Sequence, residues 1–175
     1  MIADIGSGTG HNANELRRYT SLTVCEFDVT DLHWVGPGPT MIHANHVPAD
    51  DSAFDGLLMM FILQYPESPQ QLLLEASRVS RGPLILVQST YVGWWGRMVL
   101  IVREFIWGRL AFRVACIFGI VSNTKNSLQP SHYFTRQDLV RLFESVGLKI
   151  SKFEPSEWLG LNISRDLYVL EASRP

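Results

Sequence analysis

Residues 2–11 read IADIGSGTGH, an apolar run holding one acid that breaks into three glycines at alternate positions. Few arrangements tolerate such a stretch. Glycine at positions 6, 8 and 10 lets the main chain take positive φ and lets a bound group approach with no Cβ in its way. The apolar run has the make-up of a strand end, and residues 11–19 read as a helix. A strand, a bare loop and a helix in that order bring the first helical amides to the loop, where they favour an anionic group. On a plainer reading the loop is only a tight strand-to-helix turn.

The rest of the chain says what kind of sheet this first strand joins. SLTVCEF is β-rich and leads to Asp28, and GPGP at 36–39 is turn chemistry before a short strand at TMIHA. FDGLLMMFIL, 54–63, and GPLILVQS, 82–89, are continuous apolar runs of the sort found in strands buried on both faces. Between them SPQQLLLEASRVS, 68–80, has helical spacing. Alternating strands and helices predict a doubly wound, mostly parallel α/β sheet. TRQDLVRLFESVG, 135–147, is a helix with its punctuation written in: Thr135 caps it, Asp138 completes a capping box, and Gly147 closes it. LKISKFEP and RDLYVLEAS then read as two strands whose short link has no room for a crossover helix, so they pair antiparallel.

The 175 residues suffice for one domain with a real core; 46% are hydrophobic and 18% charged, which excludes a disordered chain. A net charge of −2 gives no pull toward nucleic acid. Cys25 and Cys116 lie far apart without metal-ligand spacing, which predicts no metal site and no disulfide framework and fits a reducing cytoplasm. No basic segment followed by an apolar core marks the N-terminus as a signal peptide.

Two ligand classes fit the loop. The dinucleotide fingerprint G-x-G-x-x-G needs glycine at position 11, where His11 stands, and the third glycine comes one residue early. An acid at the end of the second strand, Asp28, suits a ribose in either class. From here the sequence resembles a family. DIGSGTG looks like motif I of the class I S-adenosylmethionine-dependent methyltransferases. Asp28 in VCEFDV matches their ribose-binding acid, and HVPADDSAFDGLLMMFILQY, LLLEASRVSRGPLILV and the closing helix and strand pair follow in order. The resemblance covers about 2–90 and 131–172 and leaves 91–130 as a helical insertion or lid within one domain, 1–175. It implies a Rossmann-like α/β fold with an antiparallel last strand, S-adenosylmethionine as cofactor, and methyl transfer to a hydrophobic small molecule, with a non-catalytic binding or scaffold subunit of the same fold as the alternative.

The resemblance also assigns residues. Asp4 would orient the loop or approach the cofactor's amino group, Gly6, Gly8 and Gly10 would border its methionine moiety, and Asp28 would hold the ribose. His43 and Ala44 fall where the family has an acid followed by a small residue that reads adenine. Here the acid is absent, so His43 or Asn45 would replace its hydrogen bond. Gln64, with Tyr65, would lie near the sulfonium. Met1-Ile2-Ala3 supplies only the tail of the family's first strand, which implies a shortened chain or a partner covering that side.

Methyl transfer to a hydroxyl benefits from a general base, which draws attention to His132 in LQPSHYFTR, with His11 beside the cofactor as a lesser candidate and His46 at the surface. Tyr133 and Trp158 are core or pocket aromatics, and Arg165 with Asp166 reads as a structural ion pair. The segment 91–121 is the greasiest, yet Arg97, Arg103, Glu104, Arg109 and Arg113 interrupt it, so it holds no transmembrane span. Gly108 divides it into two helices. Three readings stand: a lid over an apolar small-molecule acceptor, a peripheral membrane element, or a helical subdomain packed on the sheet edge. Nucleic acid is not an expected partner, and the spacing leaves oligomeric state open.

Overall fold

The computed structural model describes residues 1–43, 45–106, 114, 117, 130–157 and 161–172. Seven strands form one sheet: β1 (Ile2–Ile5), β2 (Val24–Asp28), β3 (Thr40–Met41), β4 (Gly56–Met60), β5 (Leu84–Tyr91), β6 (Leu148–Glu157) and β7 (Ile163–Ala172). Their spatial order is β3-β2-β1-β4-β5-β7-β6. β1 to β5 pair parallel, while β7 runs antiparallel to both β5 and β6. The chain moves outward from β1 to β3 and then returns to β4 on the other side of β1. That reversal leaves a crevice at the carboxyl ends of β1 and β4, the place where open α/β sheets bind ligands.

Side chains alternate across the sheet. One face carries Ala3, Ile5, Phe27, Leu57, Met59, Leu84, Leu86, Tyr168 and Leu170. Leu72, Leu73, Ala76 and Val79 of α2 (Pro69–Val79) and Leu139 and Phe143 of the helix at Arg136–Ser145 pack on that face and complete the core. The opposite face carries Asp4 and Glu26, side by side in register. There α1 (His11–Tyr19) brings Arg17 to Glu26, 2.6 Å away. α3 (Gly93–Glu104) leaves β5 after one residue and lies against the start of β7, where a Cβ on Gly96 would strike the Asn162 carbonyl.

The helix at Arg136–Ser145, numbered α4, has the punctuation its sequence promised. Thr135 Oγ1 accepts from the Asp138 amide at 3.1 Å, Asp138 Oδ2 accepts from the Thr135 amide at 2.9 Å, and Gly147 sits at φ +72°. Three sequence expectations change. The short strand expected at 40–44 pairs only through Thr40 and Met41; beyond it the His43 and His46 backbones bridge each other. The strand expected at 54–63 narrows to Gly56–Met60, because Phe61 turns to φ +56°. Arg165 and Asp166 do not pair. As strand neighbours they point to opposite faces: Arg165 lies over the Phe61 ring, while Asp166 takes Arg136 Nε at 2.8 Å together with Thr90 at 2.6 Å. Ala44, the division at Gly108, Trp107, Arg109, Arg113, Cys116 and Trp158 lie outside the described residues.

Candidate functional site

The glycine loop departs from β1 by handing its first amides to the neighbouring strand: Gly6 N and Ser7 N donate to the Phe27 carbonyl at 2.8 and 3.3 Å. Gly6, Gly8 and Gly10 all have positive φ, at +75°, +57° and +78°. They are bare for different reasons. A Cβ on Gly10 would strike the Val35 carbonyl and the His33 ring, so that glycine serves the packing of the fold. A Cβ on Gly8 would stand in open space with only the Gly6 carbonyl 4.0 Å away. Glycine there keeps the surface of the loop clear.

Asp28, at the end of β2, ties the loop down. Its Oδ2 accepts from Gly8 N at 2.8 Å, and its Oδ1 accepts from Val29 N at 2.7 Å and Thr30 N at 3.2 Å. Three donors leave roughly one of the four lone-pair sites of a carboxylate for a further hydroxyl. Asp28 also lines a cleft of about 710 Å³ with Gly6, Val29, Asn45, Ile62, Tyr65 and Gln71. That volume is the size of a cofactor or drug-sized ligand.

Asp4 lies under the loop at 1% exposure, and neither carboxylate oxygen has a partner among the described residues. Burial, with the like charges of Glu26 and Asp28 adding to it, pushes this carboxyl up to about 7. The buried hydroxyl of Ser7 is likewise without a partner. An orphaned acid beneath an open loop accommodates a cation placed above it. Gly10, the N-cap of α1, offers no side chain to the first helical amides, and the first turn carries no acid, so those amides favour an anion. The ammonium and carboxylate of an amino-acid tail have the two charges that this loop lacks.

The other candidate residues are spread around this centre. His43 is exposed, whereas Asn45 reaches the cleft and points Nδ2 at Gln71 Oε1, 3.4 Å away. His11 is exposed and bonds Thr9 at 3.1 Å; His46 bonds Glu75 at 3.1 Å. Gln64 is buried beside the cleft and accepts from Gln88 Nε2 at 3.2 Å. Its main-chain carbonyl receives the amides of Ser131 and His132, at 2.7 and 3.2 Å. The same link brings the half-buried His132 ring to the cleft rim, where Nε2 bonds the Pro66 carbonyl at 3.0 Å. A carbonyl only accepts, so Nε2 carries the hydrogen of this bond, which leaves Nδ1 as the ring nitrogen able to take a proton.

Sequence reasoning missed two features. Glu67, Ser68 and Gln71 line the cleft from the start of α2; the signal was a helix cap directly behind the loop after β4. The second is the brace under Gly10, where His33 Nε2 meets Glu26 Oε2 at 2.5 Å and Arg17 closes on the other oxygen.

Comparison with known proteins agrees with this geometry. Residues 3–85 match the family model described as a methyltransferase domain. A search of curated protein sequences finds no match to this chain. Among solved structures, an S-adenosylmethionine-dependent methyltransferase from Methanosarcina mazei is similar at 20% identity and a TM-score of 0.65, over 98% of this chain and 91% of that one. The geranyl diphosphate C-methyltransferase of Streptomyces coelicolor is similar at 10% identity and a TM-score of 0.63, over 97% and 71%. The magnesium protoporphyrin IX methyltransferase of Synechocystis is similar at 15% identity and a TM-score of 0.61, over 98% and 74%. At such identities the structures establish the shared sheet, while the family match covers the glycine loop, Asp28 and the strand after it. Together they give residues 3–85 a match to a methyltransferase domain and the whole sheet the fold of S-adenosylmethionine-dependent methyltransferases, and both support S-adenosylmethionine as the cofactor.

Proposed function

We propose that the chain methylates an apolar small molecule and that His132 is the group that receives the acceptor's proton. S-adenosylmethionine, held by the residues of the cleft, would supply an activated methyl group and leave as a neutral thioether, so that the acceptor need bring only a lone pair and have a base to take its proton. What remains for the protein is alignment and water exclusion. Asp28 would hold the ribose with its spare lone pair, Asp4 would face the ammonium, and the first amides of α1 would take the carboxylate. Asn45 would meet the adenine in place of the family's acid, with His43 near it in the chain. Gln64, fixed by Gln88, would present its amide beside the reacting centre.

The observation that carries this reading is the pairing of an orphaned buried acid, Asp4, with an open surface over Gly8. The apolar acceptor is supported by Ile62, Tyr65, Pro66 and Leu72 in the cleft wall. The two small-molecule relatives named above also act, by their names, on an isoprenoid diphosphate and a porphyrin. Calorimetry with S-adenosylmethionine and S-adenosylhomocysteine tests the cofactor site; absence of heat with both would sink it. Transfer of a labelled methyl group to a lipid-soluble extract tests the acceptor class. His132→Ala should lower kcat by about 10²–10⁴-fold with the cofactor's Kd unchanged, and transfer at an unaltered rate would remove His132 from the chemistry.

A further inference from the structure

The outer side of α3 is not built like the outside of an ordinary surface helix. Gly96 and Leu100 turn inward, and Arg103 bonds Ser89 of β5 at 3.2 Å, so one stripe of the helix is committed to the sheet. The stripe facing away is apolar: Trp94, Trp95, Met98 and Val102 are 75%, 52%, 46% and 49% exposed. At 100° per residue these four side chains fall in an arc of roughly 100°. Ile106 extends the stripe past the end of the helix, and Arg97 flanks it. Monomers rarely leave such a contiguous patch to water.

Charge identifies the occupant. Residues 91–125 hold five cations, Arg97, Arg103, Arg109, Arg113 and Lys125, against the single acid Glu104. That surplus stands out in a chain whose net charge is −2, so the rest of the molecule is acidic. A second copy of the chain on this stripe would set Arg97 against its own counterpart, since a two-fold interface brings like patches together. Tryptophan beside arginine on an amphipathic helix suits the boundary between headgroups and acyl chains. Among the described residues no helix is long and apolar enough to cross a membrane, so the contact is one of lying on the surface.

We infer that α3 docks the protein on a lipid surface bearing anionic headgroups. Trp94, Trp95, Met98 and Val102 enter the headgroup layer, and Arg97 meets lipid phosphate. α3 begins one residue after the carboxyl end of β5, so docking turns that edge of the sheet toward the bilayer. Delivery of an apolar acceptor by this route rests on the function proposed above; the docking itself does not.

Sedimentation of the full chain with vesicles tests the inference. The protein should pellet with phosphatidylcholine vesicles that contain phosphatidylglycerol, bind pure phosphatidylcholine poorly, and release as salt is raised. Trp94→Gln and Met98→Gln should each weaken partitioning about tenfold, and Arg97→Gln about fivefold. Tyr19→Gln, at an exposed aromatic on α1, should change nothing. All four positions are exposed, so melting temperature and S-adenosylhomocysteine binding should stay at the wild-type value, which separates lost docking from a lost fold or cofactor site. The inference is overturned if anionic vesicles leave the protein in the supernatant, or if Trp94→Gln partitions like wild type. It is equally overturned if sedimentation velocity without vesicles finds a dimer that Trp94→Gln dissolves.

Discussion

Three glycines of one loop look alike in the sequence and differ in what they are for. Gly10 packs its bare Cα against the Val35 carbonyl and the His33 ring, whereas Gly8 faces open space. Gly10→Ala therefore combines a left-handed φ with a backbone clash, and should cost about 3 kcal/mol or more of stability. Gly8→Ala carries only the conformational term, about 1–2 kcal/mol, but puts a methyl group where the cofactor would lie. Its binding of S-adenosylhomocysteine should fall on the order of tenfold, about 1.4 kcal/mol. Thermal melts and calorimetry on both variants separate the roles, and equal losses of binding and of stability in the two would show the distinction to be empty.

At the scale of elements, α4 is joined to the sheet by a buried charge. Asp166 is fully buried opposite Gln88, and α4 reaches it through Arg136. Burial raises its carboxyl, but hydrogen bonds from Arg136, Ser164 and Thr90 outweigh this and hold it below the usual carboxylate range. A carboxyl depressed in the folded state adds stability above its unfolded pKa and loses it as pH falls through the folded one. Arg136→Leu strands that charge, and should cost about 3–5 kcal/mol at neutral pH and less near pH 4, where protonation relieves it. A deficit as large at pH 4 as at pH 7 would mean that lost packing over Phe153 is the cause instead. The sequence did not show this arrangement, because Arg136 and Asp166 are 30 residues apart and nothing local joins them. It did show what is locally encoded: Leu57, Met59, Leu84 and Leu86 as buried strand, Thr135 and Asp138 as a helix start, Gly6 to Gly10 as a bare strand-to-helix loop. The cleft wall at Glu67, Ser68 and Gln71 and the Glu26–His33 brace depend on the sheet order and were hidden for the same reason. The outward face of α3 was hidden because periodicity marks an apolar stripe without saying which stripe the sheet covers.

For the molecule as a whole, two carboxyls set opposite slopes on stability against pH. Arg78 donates to Glu75 and, with the Val47 amide, brings its carboxyl down to about 2, tying α2 to the loop before β4. From about pH 4.5 downward the unfolded chain takes up a proton that the folded chain refuses, so stability falls with falling pH. Asp4 acts the other way. With its carboxyl at about 7, the folded chain keeps a proton that the unfolded chain has released from about pH 4, so stability falls as pH rises to 7 and then levels off. The loss is on the order of 2–4 kcal/mol. The ligand-free chain should therefore melt highest at about pH 4–4.5, below the usual optimum range of about 5–8. An ammonium placed against Asp4 reverses this slope, because it favours the charged carboxylate. The rise in melting temperature caused by S-adenosylhomocysteine should then grow steadily from pH 5 to pH 7.5, and Asp4→Asn should abolish both the ligand-free slope and that growth. Melting curves across this range, with and without S-adenosylhomocysteine, decide the matter. A ligand-induced rise that is flat with pH in the wild type would place the cofactor's amino group elsewhere, and a slope that survives in Asp4→Asn would assign the proton to another group.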